Sequence, residues 1–299
     1  MIDNKPKVLL LGSDGQVGWE LQRTLGVISE VVNTTLSGQG GLPLDLLDAK
    51  AVRETVRQIA PDYIINAAAH TAVDKAETEV DLSRRLNADA PELLGQLAVE
   101  LGAKVIHYST DFVFSGTSDR PYREEDAASP LSVYGQTKLE GEQRLLATGA
   151  DALVLRTSWV YGNYGHNFML TMMRLFREKG QLSVVDDQIG APTWSRMIAE
   201  ATAQIVHQLR MSAEGAAPQL GLYHMTAAGE TSWFGFAQSI LELMDVSCNV
   251  QPTSTENYPT PAKRPAYSVL DNSKLNQAFG LQLPDWQDSL QQCMADRLT

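Results

Sequence analysis

Short apolar runs alternate with longer stretches of helical period through the first half of the chain. Val8-Leu9-Leu10-Leu11 is followed by a glycine-rich turn, then by Trp19, Leu21 and Leu25 at helical spacing. The β-branched stretch Val27–Val32 reads as a second strand. Asp48 is placed to cap a helix that runs through Val52, Val56 and Ile59 and stops at Pro61. Tyr63-Ile64-Ile65 is a third strand, and Lys104-Val105-Ile106-His107-Tyr108 a fourth, after a long helical stretch that ends near Gly102. These runs are apolar throughout, with no in–out alternation, which predicts parallel strands covered on both faces. Ala152–Leu155 and Leu182–Val185 are expected to continue the same sheet.

The rhythm then changes. Pro252, Pro259, Pro261, Pro265 and Pro284 break the C-terminal third into short pieces, which suits a smaller lobe on the edge of the first. The expected fold class is α/β. Residues 1–160 form a first domain, with later segments returning to its sheet, and 161–299 form mainly a second.

Charge narrows the partners. With 24 Lys and Arg against 36 Asp and Glu, the 299-residue chain carries a net charge of −12. That sign argues against a dedicated nucleic-acid or anionic-membrane binder. Two cysteines, Cys248 and Cys293, build neither a disulfide framework nor a four-thiolate zinc site. The start, Met1 to Lys7, leads into four apolar residues, too few for a signal-peptide core. A cytoplasmic protein is expected, either a monomer or a homodimer.

Gly12-Ser13-Asp14-Gly15-Gln16-Val17-Gly18 follows the first strand directly. In a dinucleotide site the first glycine permits a tight turn, the second lets the backbone approach a pyrophosphate, and the third lets helix and strand pack closely. The helix N-terminus then offers amide N–H groups to the phosphates. A connecting turn would look similar, but its place after the first strand of an alternating chain favours the nucleotide reading. At the end of the second strand stands Asn33-Thr34-Thr35-Leu36-Ser37, with neither the acid that favours NAD nor an Arg for NADP. Either NADPH or NADH is compatible.

Tyr134 and Lys138 are spaced i, i+4 and share a helix face. An adjacent cation would bring a phenol towards a useful pKa for acid–base work. Alone the pair means little. Ser109-Thr110-Asp111 gives it weight, because it follows the fourth strand, where residues of an open α/β sheet face the ligand crevice.

Together these residues resemble the extended short-chain dehydrogenase/reductases, and among them the reductases that complete dTDP-L-rhamnose. The carrying segments are Gly15–Gly18, Asn66–Asp74, Tyr108–Phe114, Arg156–Tyr161, Asp187–Thr193 and Pro259–Pro265. They run in family order over nearly the whole chain. The resemblance implies a Rossmann-type, doubly wound parallel sheet with a smaller C-terminal α/β domain that binds a sugar nucleotide. It further implies hydride transfer from NADPH or NADH to C4 of a dTDP-linked 4-keto-6-deoxy sugar. Tyr134 would donate the proton, Lys138 would lower its pKa and hold the nicotinamide ribose, and Thr110 would orient the carbonyl. Gly12, Gly15, Gln16, Val17 and Gly18 would line the pyrophosphate, and Asp45 and Leu46 would flank the adenine. Ala69, His70, Thr71 and Tyr108 would complete the cofactor site. Thr110, Asp111 and Trp159 match sugar-contacting positions, while Asn167, Gln188 and Arg264 are candidates for the nucleotide end. Some members are described with magnesium at a dimer contact, but no ligand cluster in this sequence supports it.

Phe112 departs from the family in standing where a tyrosine is common, and the glycine-rich segment Thr34–Leu44 is longer than expected. His107, in a buried strand, reads as a satisfied core histidine, and Met169, Met172 and Met173 read as core or interface. Two alternatives remain open. One is a related sugar-nucleotide reductase, epimerase or dehydratase; against the dehydratase, Thr110-Asp111-Phe112 carries one acid where two are needed. The other is a non-catalytic regulatory subunit of the same fold.

Overall fold

The computed structural model describes residues 5–212 and 218–298. Met1–Asn4, part of the argument about the chain start, lie outside the described residues, as do 213–217 and Thr299 of the expected second domain.

Seven parallel strands form the central sheet. In chain order they begin with β1 (Lys7–Leu11), β2 (Glu30–Thr35), β3 (Leu42–Pro43), β4 (Tyr63–Asn66), β5 (Lys104–Thr110) and β6 (Asp151–Thr157). The strand Gly221–His224 completes the set, and the spatial order is Gly221–His224, β6, β5, β4, β1, β2, β3. The α/β, doubly wound fold is therefore as expected. Successive residues of each strand feed opposite faces, so both faces are apolar. Val8, Leu10, Ile65, Ile106 and Leu153 pack on one side against Leu21, Leu25, Ile198 and Ile205. Leu9, Leu11, Ile64, Val105 and Val154 pack on the other against Val52, Val56, Leu94 and Leu97.

The chain winds outward from β1 in one direction through β2 and β3, and in the other through β4, β5 and β6. A crevice opens where these directions diverge, beyond the C-terminal ends of β1 and β4. Helix α1 (Gln16–Ile28) starts there. Helix α2 (Ala49–Ile59) is capped by Asp48, whose side chain accepts from the Lys50 and Ala51 amides at 3.0 Å each.

Two expected strands are placed differently. Val27 and Ile28 belong to α1, which ends when the Ser29 amide and hydroxyl both bond Leu25 O, and the strand starts only at Glu30. Leu182–Val185 does not join the main sheet. It pairs in parallel with Asn249–Thr253 in a separate ribbon, because Gly221–His224 takes the sheet edge beside β6. That ribbon belongs to a second apolar cluster built from Met169, Met172, Met173, Phe176, Val184, Phe236 and Trp286. Among the described residues, no helix is long and apolar enough to cross a membrane.

Candidate functional site

The glycine turn closes the crevice by close packing. Gly12 has φ +72°, and a Cβ there would lie 2.8 Å from the Ala68 backbone. At Gly18 a Cβ would meet Gly12 O at 2.0 Å, so α1 approaches the turn more closely than any side chain permits. Gly15 is the N-cap of α1 and supplies no side-chain bond, leaving the first-turn amides open. A cavity of about 330 Å³ lies in front of them, lined by Gly12, Gly15, Gln16, Val17, Ala69, Thr71, Tyr108, Tyr134 and Lys138, among others. Next to it a second, about 320 Å³, is walled by Thr34, Thr35, Leu36, Asp45 and Leu46. The segment after Thr34 folds back as β3, which pairs with β2 and carries Asp45 to that wall.

Two features of the first cavity suit a dinucleotide. The turn is a cradle that a side chain at Gly12 or Gly18 would fill. Ser109 and Thr157 are among its lining residues, and their buried hydroxyls have no protein partner. A bound polar group would satisfy them. Ser109 stands out in the sequence only as part of Ser109-Thr110-Asp111, and Thr157 only within Arg156–Tyr161, since a lone hydroxyl on a buried strand carries no motif.

Tyr134 and Lys138 lie on the helix Val133–Ala147, which is capped by Ser132 Oγ accepting from the Gly135 amide at 3.2 Å. Their environments diverge. Burial pushes the Tyr134 phenol up to about 12, opposed by a hydrogen bond with Thr110 and reinforced by the nearby Asp111 charge. Lys138 is fully enclosed, which lowers its pKa to about 8. Its Nζ donates to Tyr108 O at 2.6 Å and lies 3.2 Å from His107 Nε2. Contrary to expectation, Lys138 has no part in that shift: burial raises the phenol, and the Thr110 hydrogen bond is what opposes it. The Phe112 ring meets the Tyr134 ring edge-on, with centroids 5.7 Å apart.

Asp111 is buried beneath Thr110, away from all these cavities. It accepts from Thr110 Oγ1 at 3.1 Å and from Ser158 Oγ at 3.2 Å. Its carboxyl is raised by burial to about 6, despite hydrogen bonds from Ser268, Thr110 and Ser158. Its carboxylate is thereby placed to orient Thr110. A raised carboxyl favours the folded state below the unfolded value and loses that benefit as pH climbs through the folded one. Over the whole titration, from well below pH 4 to well above pH 6, this one group should cost about 3 kcal/mol. Denaturant titrations should show that Asp111→Asn lacks this slope relative to wild type; parallel curves would refute the assignment.

The remaining candidates divide. His70 turns from the cavity, its Nε2 bonding Glu79 at 2.8 Å and its Nδ1 bonding Ser83 at 3.0 Å. Its backbone is clamped by Asn87, which lies in a single π-helical turn (Arg85–Asp89) and also donates to Thr137 Oγ1. Asn167 caps the helix Phe168–Glu178 and donates to Gln16 Oε1 at 2.9 Å, tying that helix to the glycine turn. Gln188 and Arg264 line a larger cavity of about 590 Å³ with Phe168, Met172, Val184 and Trp233. Arg264 is engaged by Asp74 at 2.9 Å. Trp159, at φ +47°, stacks on Trp233 with centroids 3.5 Å apart. Trp233 lines the larger cavity, and Val160, next to Trp159 in the chain, lines the turn cavity. Among the described residues no three His, Cys, Asp or Glu side chains gather as a metal site.

Comparison with known proteins bears on the whole chain. A family model described as the RmlD substrate binding domain matches residues 6–299. The dTDP-4-dehydrorhamnose reductase of Escherichia coli K12 is 44% identical over 98% of this chain and 98% of its own. A crystal structure of the Clostridium acetobutylicum dTDP-4-dehydrorhamnose reductase superposes with TM-score 0.90 at 37% identity, covering 98% of this chain and 100% of that one. The Bacillus anthracis enzyme of that name, solved in complex with NADP, gives TM-score 0.90 at 34% identity over 98% and 99%. The chain belongs to the family of this model and these relatives, the dTDP-4-dehydrorhamnose reductases.

Proposed function

We propose that this protein reduces the C4 keto group of dTDP-4-dehydro-L-rhamnose to give dTDP-L-rhamnose, using NADPH or NADH. One observation carries the reading: the glycine turn, Tyr134 and Lys138 line a single cavity. Residues 1–160, with the returning strand Gly221–His224, would hold the cofactor, and 161–299 mainly the sugar nucleotide. A cytoplasmic setting suits a reaction that consumes a reduced dinucleotide.

Bound reduced nicotinamide supplies the hydride. The turn amides of Gln16 and Val17 receive the pyrophosphate, and Asp45 and Leu46 flank the adenine. Turning a ketone into an alcohol also requires a proton, and Tyr134 is held as the neutral phenol that can give one. Thr110, fixed by Asp111, keeps a hydroxyl beside that phenol to orient the sugar carbonyl. Lys138 supplies positive charge under the ribose while it remains protonated. Gln188 and Arg264 serve the nucleotide end, with Arg264 exchanging part of its bond to Asp74 for a diphosphate oxygen.

The test is loss of the cofactor's near-ultraviolet absorbance with enzymatically generated dTDP-4-dehydro-L-rhamnose, and identification of the product. No oxidation by protein that binds the cofactor would defeat the assignment and favour the regulatory reading. The adenine cavity is lined by no Lys or Arg and does carry Asp45. NADH should therefore serve with kcat/KM within about tenfold of NADPH. A preference of a thousandfold for NADPH would show that a cation reaches the 2′-phosphate.

A further inference from the structure

Buried His107 is not used by that mechanism, yet it touches Lys138. It lies on β5 at 1% exposure, with its two ring nitrogens facing Asn66 and Lys138. The proton on this ring can be located by following donors along the chain. Asn66 Oδ1 accepts the Ala68 backbone amide at 3.1 Å, and an amide N–H has no other role than donor. That bond fixes the orientation of the Asn66 carboxamide, so its Nδ2 faces His107 Nδ1 at 3.1 Å. His107 Nδ1 must then accept, and in a neutral imidazole the proton resides on Nε2. Burial, the larger cause, holds His107 well below its usual pKa, and a charged Lys138 would lower it further, so the ring is neutral with either form of the lysine.

Nε2–H points at Lys138 Nζ, 3.2 Å away. An ammonium has three donors and no acceptor, so the charged lysine would present donor to donor. The amine, with one lone pair, accepts from His107 Nε2–H and still donates to Tyr108 O. Flipping Asn66 does not relieve the conflict, because it moves the clash to the Ala68 amide. We propose that Asn66, by holding His107 in the Nε2–H tautomer, makes His107 a positioning residue that favours the neutral amine of Lys138. The consequence is a lysine that gains or loses its proton near working pH, with cofactor binding able to shift the balance.

The other charges around Lys138 are on the page. Glu142, one turn along its helix, stabilises the cation, but is itself committed to Arg156 of β6. Tyr134 is neutral, Asp111 lies behind Thr110, and Asn66 on β4 and Asn87 at the neighbouring turn carry no charge. The sheet side of Lys138 thus offers it one acceptor, Tyr108 O, and one donor, His107 Nε2–H, and the opposing charge comes from its own helix.

The inference rests on the proposed reductase only for its consequence, so its first test needs no turnover. Long-range proton–nitrogen NMR of the full chain labelled with ¹⁵N-histidine should show His107, identified by its loss in His107→Gln, as the Nε2–H tautomer from pH 6 to 9. An Nδ1–H tautomer or an imidazolium there would overturn the proposal. Asn66→Asp is nearly isosteric and reverses the logic: the carboxylate accepts a hydrogen bond from Nδ1–H, which selects that tautomer and leaves an Nε2 lone pair towards Lys138. In this variant the spectrum should switch tautomer. The pH above which NADPH binding weakens should also rise by at least about one unit, a tenfold change in the lysine's proton affinity. A switched tautomer with an unmoved binding profile would show that His107 does not govern Lys138. If Asn66→Asp does not fold, the wild-type spectrum decides alone.

Discussion

Tyr134→Phe should lower turnover by about 10²–10⁴-fold, the usual worth of a positioned proton donor, with NADPH affinity nearly unchanged. The substitution keeps the ring, so its edge-on contact with Phe112 and the packing of its helix survive. Only the hydroxyl is lost, and with it the hydrogen bond to Thr110 and the proton for the nascent alkoxide. A group that acts only in the transition state should depress kcat and kcat/KM together, whereas loss of simple substrate binding would raise KM alone. The pH profile adds an independent check. With the phenol pushed up to about 12, it should remain protonated throughout the working range. Any loss of activity near pH 8 then belongs to Lys138, and should persist in whatever rate Tyr134→Phe retains. Stopped-flow hydride transfer and fluorescence titration of NADPH would measure both; a rate within a few-fold of wild type would remove Tyr134 from the chemistry.

How much of this was legible in the sequence follows from how local the signals are. The glycine turn and Asp48 act on residues within one turn of themselves, so spacing alone located them. The continuous apolar strands likewise announced a parallel sheet, because burial on both faces leaves no polar alternation to confuse the reading. Leu182–Val185 looked the same and went elsewhere, since apolar content does not say which neighbour a strand will pair with. Asn167 and Arg264 were noticed as polar residues in the right segments. Their partners, Gln16 and Asp74, stand 151 and 190 residues away and could not be paired by spacing. His107 was read as a satisfied core histidine, and it is bonded at both nitrogens. That Lys138 is one of its partners was hidden, as the two lie 31 residues apart on different elements. The direction of the Tyr134 shift was also out of reach, because it depends on how deeply the phenol is enclosed.

The same helix is anchored by a pair that no motif announced. Glu142 and Arg156 form a two-pronged ion pair, at 2.9 and 2.7 Å, with both side chains only 3% exposed. Arg156 Nη1 has no partner, and the guanidinium carbon lies 5.0 Å from the Phe114 ring centre. Glu142→Ala should therefore destabilise the fold by about 3–5 kcal/mol, because it strands a buried charge. For a chain of this size that corresponds to roughly 6–10 °C of melting temperature, at about 2 °C per kcal/mol. Removing both partners, as Glu142→Met with Arg156→Met, should recover much of the loss by filling the space with apolar groups. The single variant also carries a functional signature. Glu142 favours the charged form of Lys138, so without it the pH at which NADPH binding weakens should move down, opposite to the effect of Asn66→Asp. A melting temperature within about 2 °C of wild type, measured by calorimetry, would mean that Arg156 finds water once Glu142 is gone. The pair would then be a contact that water can reach, and the position of Tyr134 and Lys138 would depend on helix packing alone.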